Sequence, residues 1–289
     1  MAFYEIVHDS LARVDIHVNG LPSQFFDRTN NLSVWSIVEL FLNAGSPPNV
    51  KEFTRRQDLY RTRQIMQFVV QISCSVTPEI HLISKYNKST NRLVMSTDIH
   101  EFGTSSFSLK SSMSNRETKE KLGDFFIKLV TVNMKTRKSC PLPKWYVEKF
   151  RDVPGFNTNP PYPKPKIPEM PEVIYHVTVT ARFSDMDGNN HVTTHRYMQF
   201  FTDCATEAAN CGFYKHFTND MCWYPVETFD VTLLGESKVG DKLRVCTWQD
   251  GADIQRVYFN CFNDGKCVMK ASFVYGLNTI TPKIPPHYL

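Results

Sequence analysis

The pattern of apolar and polar positions is clearest in the second half of the chain. Apolar and polar residues alternate over residues 174–182, which predicts a half-buried strand. Over residues 193–212 the apolar positions recur every three or four residues, which predicts a helix with one buried face. Strand-like patterns follow over residues 225–234, 242–249, 253–262 and 266–277. A helix of this length can bury its apolar face only against the sheet that these strands form.

Turn and connector residues interrupt this pattern. Asp250-Gly251 and Asp264-Gly265 separate the last three predicted strands, and Asp-Gly pairs favour tight hairpin turns. Residues 141–171 carry nine of the seventeen prolines, which excludes a central strand or a helix interior there and predicts an extended connector. This connector divides the chain into two halves.

The first half of the chain repeats the same order of features more weakly. A shift of 160 residues superposes Asp27 on Asp187, and it aligns a predicted helix ending near Gly45 with the helix of the second half. The same shift places Asn31 on His191. We therefore interpret the chain as a duplicated unit whose first copy keeps the carboxylate but lacks the imidazole.

Composition places the chain among globular proteins. Hydrophobic residues make up 42% and aromatic residues 13% of the 289 residues, enough for a large core. The net charge of +4 is too small to indicate nucleic-acid binding. The eight cysteines form no CxxC pair. The N-terminal residues lack the apolar run of a signal peptide, and the sequence contains no stretch of about eighteen apolar residues that could insert into a membrane. A reducing, cytoplasmic location is therefore expected.

One short segment combines an acid, an amide and an imidazole. Asp187, Asn189 and His191 lie where the predicted strand ends and the predicted helix begins, at the positive end of the helix dipole. Backbone N–H groups there can hold the negative charge that develops on a carbonyl oxygen, and those of residues 191–193 are the predicted donors. The alternative is that Asp187 and Asn189 only cap the helix. Asp185 either braces the loop or contacts a ligand.

The same segment partly matches two metal-binding patterns. A calcium loop starting at Asp185 would need glycine where Asn190 stands and a bidentate glutamate where Arg196 stands, so this pattern is excluded. His191 and His195 have the i, i+4 spacing of some zinc sites, but neither the glutamate of an HExxH motif nor a third ligand accompanies them. No metal and no dissociable cofactor is predicted.

The motif D-x-N-x-H-V over residues 187–192, followed by Tyr197, resembles the acyl-ACP thioesterase branch of the hotdog-fold thioesterases. More loosely, it resembles the 4-hydroxybenzoyl-CoA thioesterase group. Glu236 ahead of Gly240-Asp241 is similar to the family's strand that ends in a glutamate before a GD turn. The resemblance implies an α+β fold of the tandem (double) hotdog type, in which an antiparallel sheet wraps a long helix in each half.

The resemblance also implies a role for each part of the chain. It implies an N-terminal hotdog over residues 1–144 without a catalytic role, a Pro-rich linker over residues 145–172, and a C-terminal hotdog over residues 173–289 with the active site. The implied catalytic residues are Asp187, Asn189, His191 and Glu236. The predicted substrate-binding residues are Asp185, Val192, Thr193 and Tyr197. Residues that either line an acyl channel or belong to the core are Met198, Phe200 and Phe201.

The activity that the resemblance implies is hydrolysis of an acyl thioester in fatty-acid or related lipid metabolism. A fatty or related acyl chain would leave CoA or an acyl carrier protein, and two tandem units could pair as a homodimer. The alternative is a catalytically inactive protein that binds acyl thioesters, since Thr193-Thr194 stand where the family usually has two asparagines. A hotdog hydratase or dehydratase is a third hypothesis, but it would need an acid and a histidine at another spacing.

Overall fold

The computed structural model describes residues 4–44, 50–61, 64–83, 92–153, 156 and 158–280, which form two compact units. The first unit comprises Met1–Leu21, Phe41–Cys74 and Asn91–Lys164. The second unit comprises Pro22–Leu40, Ser75–Thr90 and Pro165–Leu289. Within the described ranges, no helix has the length and apolar character needed to cross a bilayer.

The first unit is built mainly of strands. They are β1 (Tyr4–Asp9), β2 (Arg13–Asn19), β3 (Ile65–Val76), β4 (Arg92–Phe102), β5 (Ser106–Asn115) and β6 (Lys121–Asn133). They lie side by side in the order β1-β2-β4-β5-β6-β3. The helices are α1 (Val34–Ala44), which begins in the second unit, α2 (Arg56–Tyr60) and α3 (Lys144–Glu148). Near the end of α1, the ring of Phe41 stacks on that of Phe125 in β6, with centroids 4.7 Å apart.

The second unit has the order of elements that the hydrophobic pattern predicts. The elements are β7 (Tyr175–Thr180), α4 (Thr194–Asn210), β8 (Val226–Leu233), β9 (Lys242–Gln249), β10 (Arg256–Asn263) and β11 (Lys266–Tyr275). The strands lie in the order β8-β11-β10-β9-β7, and each neighbouring pair is antiparallel. The predicted sequence of one strand, a long helix and four strands is therefore confirmed.

The buried face of α4 packs against this sheet. Phe201 is fully buried, and its ring lies 5.0 Å from that of Phe259 and 6.4 Å from that of Phe273, measured between centroids. The thiol of Cys204 donates to the carbonyl of Val245 at 3.4 Å. The apolar stripe read from the sequence thus forms the core of this unit, and Cys204 packs as a small apolar residue.

Only one of the two predicted tight hairpins is present. Asp264 (φ 48°) and Gly265 (φ 73°) form the two-residue turn between β10 and β11, as predicted. The prediction for Asp250-Gly251 is wrong, because a longer loop joins β9 to β10 there. The carboxylate of Asp250 accepts hydrogen bonds from the N–H groups of the residues two and three positions later, at 2.8 and 3.0 Å. This side chain stabilises the wider loop.

The Pro-rich segment is not extended throughout. Its early residues form α3, in which Tyr146 is fully buried and donates its hydroxyl hydrogen to the carbonyl of Thr54 at 2.6 Å. The prediction of an extended connector is wrong at this point, because no proline occurs between Pro143 and Pro154. Farther along the segment, the ring of Tyr162 stacks on that of Phe126, with centroids 3.8 Å apart.

The loops that precede α1 and α4 share one backbone geometry, 160 residues apart. In each loop the N–H of an aspartate donates to the carbonyl four residues later, at 2.9 Å from Asp27 and at 2.8 Å from Asp187. The third residue after each aspartate is left-handed, with φ of 63° at Asn30 and 61° at Asn190. The repeat inferred from the sequence is therefore present in the backbone of these two loops.

Candidate active site

The loop between β7 and α4 is organised around the carboxylate of Asp187. Its Oδ1 accepts hydrogen bonds from the backbone N–H groups of Asn189 (2.8 Å) and His191 (3.1 Å), and its Oδ2 accepts from Nδ2 of Asn189 at 3.4 Å. A short acidic side chain that accepts from nearby N–H groups holds a tight loop. The N-cap position of α4 is Thr193, whose side chain makes no capping hydrogen bond, and Asp187 accepts only from N–H groups of the loop, so Asp187 and Asn189 do not cap the helix.

The imidazole of this loop meets a carboxylate from the segment after β8. Nε2 of His191 lies 3.2 Å from Oε2 of Glu236, and the two side chains are 15% and 35% exposed. The backbone joins the same two segments, since the N–H of Val192 donates to the carbonyl of Ser237 at 2.9 Å. A neighbouring carboxylate fixes the orientation of an imidazole. The pair can therefore take up and return a proton at one place.

Hydrogen bonds and this contact bring the four predicted catalytic residues together. The carboxylate of Asp187 accepts from the backbone N–H groups of Asn189 and His191, and the imidazole of His191 contacts the carboxylate of Glu236. Asp187, Asn189 and Glu236 are exposed, whereas His191 is half-buried. The arrangement is an open surface site with one imidazole partly shielded from water.

The N–H groups predicted to stabilise an oxyanion are already used. Those of residues 191–193 donate to the carboxylate of Asp187 and to the carbonyls of Ser237 and Asp185. The prediction for these groups is therefore wrong, because closing the loop consumes them. Among the described residues, the N–H groups of residues 194–195 have no hydrogen-bond partner, and they open the first turn of α4. They are the donors that remain available at the positive end of the helix.

Asp185 braces the loop. It is buried, its Oδ2 accepts from the backbone N–H of Arg182 at 2.7 Å, and its Oδ1 lies 3.6 Å from Nε of Arg196. Arg196 also donates to the carbonyl of Ser184 at 3.5 Å and to Oε1 of Gln199 at 2.8 Å. Sequence reasoning missed this arginine as a structural residue, because the spacing does not show that its side chain turns back toward Asp185.

The other residues predicted to bind substrate are fixed by the loop and the helix. Val192 and Tyr197 are buried, and burial raises the pKa of the Tyr197 hydroxyl. Oγ1 of Thr193 lies 3.3 Å from Nε2 of His195. Burial, together with the charge of Arg196, lowers the pKa of His195 to about 4, so this imidazole is neutral near pH 7. Contact between these side chains and a substrate stays a prediction.

The residues considered as walls of an acyl channel are all buried on α4. Met198 and Phe201 are fully buried, and Phe200 is nearly so. The packing of Phe201 on Phe259 places it in the core. Among the described residues, no group of three or more His, Cys, Asp or Glu side chains is arranged to hold a metal ion.

Comparison with known proteins shows the fold of the chain. No protein-family model matches the sequence, and no curated protein matches it significantly. A protein assigned as an oleoyl thioesterase from Lactobacillus plantarum matches with a TM-score of 0.71 and 13% identity, covering 95% of this chain and 98% of its own.

Two further solved structures match the chain over most of its length. The 12:0-ACP thioesterase from Umbellularia californica has a TM-score of 0.69 and 15% identity, with 91% of this chain and 97% of its own covered. An acyl-ACP thioesterase from Bacteroides thetaiotaomicron has a TM-score of 0.66 and 14% identity, with 91% and 98% covered. The chain therefore has the hotdog fold of these thioesterases, and identities this low show the fold alone.

Proposed function

We propose that the protein is a thioesterase that hydrolyses an acyl thioester at the site formed by Asp187, Asn189, His191 and Glu236. The observation that carries this proposal is the 3.2 Å contact between His191 and Glu236, which sets a base beside the Asp187 loop. The likeness in fold to three thioesterases supports the same reaction class. Geometry supplies the argument for the site, because a fold by itself does not define a function.

The proposed architecture is a tandem hotdog. The loop geometry repeated at Asp27 and Asp187 supports one hotdog in residues 1–144 and another in residues 173–289, joined by a Pro-rich linker over residues 145–172. In the first copy Asn31 stands where the second has an imidazole, which supports a first half without catalytic activity.

The reaction adds water to the thioester carbonyl and releases a carboxylic acid and a thiol. His191, oriented by Glu236, accepts a proton from the attacking water. The C–S bond of the tetrahedral intermediate then breaks, and the imidazole returns the proton to the departing sulfur. A thiol has a pKa of roughly 8.5, so the leaving group needs little acid assistance.

The remaining groups position the reactants. Asp187 holds the loop, and the exposed amide of Asn189 can orient the attacking water. We assign the oxyanion to the N–H groups of residues 194–195, in place of the donors that the loop consumes. One such donor lowers the barrier by about 3 kcal/mol.

The proposed substrate is a fatty or related acyl chain on CoA or an acyl carrier protein. Two structural neighbours are described as acting on ACP-bound acyl groups and a third on an oleoyl group, which supports this class. A cytoplasmic location fits the eight cysteines, all of which are free thiols. Tandem units could associate further as a homodimer.

A thiol-release assay tests the proposal. The purified protein is given a panel of acyl-CoA and acyl-carrier-protein thioesters, and released thiol is trapped by a chromogenic disulfide. We expect release by the parent and by a His176→Ala control, which removes an exposed imidazole on β7, and loss of release in His191→Ala and Asp187→Asn. Release that survives in both site variants contradicts the proposed site.

The second candidate function is acyl-thioester binding without hydrolysis. The observation that favours it is the exposure of Asp187 and Asn189, since exposed polar groups act in a high-dielectric environment where their electrostatic effect on a reacting carbonyl is weak. Saturable binding of an acyl thioester by the parent, with no thiol released over hours, would support this alternative.

A further inference from the structure

The face of the second unit's sheet that points away from α4 carries three cationic side chains beside its edge strand. Arg244 of β9 stands opposite Thr178 of β7, and Lys242 stands opposite Thr180. Arg182 follows two residues after Thr180, on backbone that is still extended. Because side chains alternate between the two faces of an extended chain, the three cations share one face. All three are exposed, and we call them the basic row.

Acidic neighbours do not neutralise the basic row. Among the described residues, no carboxylate forms an ion pair with any of its three members. The carboxylate of Asp241 is engaged elsewhere, since its Oδ2 accepts from the N–H of Lys238 at 2.8 Å and from Nδ2 of Asn263 at 2.6 Å. On β10, the residue opposite Arg244 is the uncharged Phe262. The row is therefore a strip of positive charge that faces the solvent.

Exposed apolar side chains stand at one end of the basic row. Phe183 directly follows Arg182, and its ring is 84% exposed. Val239 is 38% exposed in the loop between β8 and β9. The N–H of Gly240 donates to the carbonyl of Ala181 at 2.8 Å, so Phe183 and Val239 each lie within two residues of one hydrogen-bonded pair. Apolar side chains grouped in water in this way are typical of a surface that meets a partner.

The same end of the basic row borders the candidate active site. The loop that carries Val239 also carries Glu236, and its Ser237 accepts the N–H of Val192 at 2.9 Å. The exposed cation of Lys238 lies between these residues and Val239. A partner that covers Phe183 would therefore lie next to the site.

The arrangement of charge and apolar surface selects the kind of partner. Successive residues on one face of a strand are about 7 Å apart, so the cations are spread along the sheet and do not surround a single small anion. A lipid bilayer places anionic headgroups above an apolar layer, and aromatic rings favour the boundary between the two. A strip of cations with a projecting ring at its end complements this order of charge and apolar material.

We propose that the basic row and Phe183 dock the protein on the anionic surface of a lipid bilayer. The cations pair with headgroups, and the ring of Phe183 enters the interface without spanning it. The proposal goes beyond the proposed hydrolysis and does not depend on it.

Co-sedimentation of the full chain with sucrose-loaded vesicles tests the proposal. One set of vesicles contains phosphatidylcholine alone, and the other contains equal parts of phosphatidylcholine and phosphatidylglycerol. We expect the protein to sediment with the mixed vesicles and to stay in the supernatant with the neutral ones. Added salt should weaken the binding, because it screens the attraction between exposed charges.

Two variants separate the charged from the apolar contribution. Arg244→Gln should lower the partition coefficient for the mixed vesicles about fivefold, the effect of one basic residue near an anionic surface. Phe183→Ser should lower it about tenfold, because an apolar ring no longer leaves the water. The matched controls are Lys215→Gln and Ile254→Ser, which change an exposed cation and an exposed apolar residue that both hydrogen-bond Gln249, at the other end of β9. Both controls should bind as the parent does.

Three results would each overturn the proposal. They are equal binding to the two sets of vesicles, an unchanged partition coefficient in Arg244→Gln, and an unchanged partition coefficient in Phe183→Ser. Soluble polyglutamate distinguishes a lipid surface from an acidic protein. If polyglutamate binds and the mixed vesicles do not, the row docks an acidic protein and the proposal is wrong. Since sedimentation is measured without a thioester, none of these results bears on the proposed hydrolysis, and loss of hydrolysis would not affect them.

Discussion

The half-buried imidazole of His195 at the start of α4 predicts a specific acid sensitivity of the fold. Burial lowers the pKa of His195 to about 4, and its Nε2 lies 3.3 Å from Oγ1 of Thr193. An unfolded chain has an ordinary histidine pKa near 6.5. Between these values the unfolded state binds a proton that the folded state does not bind. The stabilisation by the neutral ring is therefore present above about pH 6.5 and is lost as the pH falls toward about 4.

The size of this effect follows from the two pKa values. At about 1.36 kcal/mol for each pH unit, the full difference between 6.5 and about 4 sets an upper limit of about 3.4 kcal/mol. Between pH 7 and pH 5 the loss in the free energy of unfolding is about 2 kcal/mol. His195 is only half-buried, and solvent screening reduces this to between about 1 and 2 kcal/mol.

Urea unfolding of the parent and of His195→Gln at pH 7 and pH 5 measures the effect. Both proteins share every other titrating group, so the difference between their pH dependences isolates this imidazole. The parent should lose about 1 to 2 kcal/mol more than the variant between the two pH values. His176→Gln, which removes an exposed imidazole on β7, should behave as the parent does. An equal loss in the parent and in His195→Gln would refute the assignment of a neutral, half-buried ring.

Two predictions concern the fold that carries the site, and urea unfolding checks both. Phe201→Ala should lower the free energy of unfolding by about 3 to 5 kcal/mol, because the ring packs on Phe259. The control is Phe183→Ala, which removes a ring that is 84% exposed and should change this free energy by less than about 0.5 kcal/mol. A small effect of Phe201→Ala would contradict the packing of α4. An added Cβ meets no atom within 4 Å at Gly265 or at Gly251, so the backbone decides the outcome. Gly265→Ala should cost about 1 kcal/mol, since φ is +73° there, and Gly251→Ala should cost little because its φ lies outside the left-handed region. Equal costs would contradict the two turn geometries.

The sequence was sufficient to predict the elements of the second unit. Alternation and three-to-four spacing report which faces are buried, and burial on one face is what fixes a strand or a helix. The prediction of an extended connector failed at α3. It rested on the proline content of the whole segment, but the ten residues between Pro143 and Pro154 contain no proline and include this helix. The prediction of a tight hairpin failed at Asp250, whose side-chain hydrogen bonds stabilise a loop that the Asp-Gly pair alone does not reveal.

The candidate site could be predicted only as far as residue types and spacing reach. The motif over residues 187–192 indicates which side chains share a loop, and the resemblance adds Glu236. The hydrogen bonds within the folded loop decide which N–H groups stay available, and the sequence does not show them. The prediction of the oxyanion donors is therefore wrong. The contact between Arg196 and Asp185 depends on a side-chain direction that no local pattern encodes.

The most direct test of the account is the turnover number of Glu236→Gln on the best acyl thioester of the panel. Glu236→Gln keeps the shape of the side chain but removes the charge beside His191, so kcat should fall by about 10² to 10⁴ while KM changes little. Glu227→Gln, which neutralises an exposed glutamate on β8, should keep the parent's kcat. A folded Glu236→Gln protein with unchanged kcat would show that the paired imidazole and carboxylate do not perform the reaction.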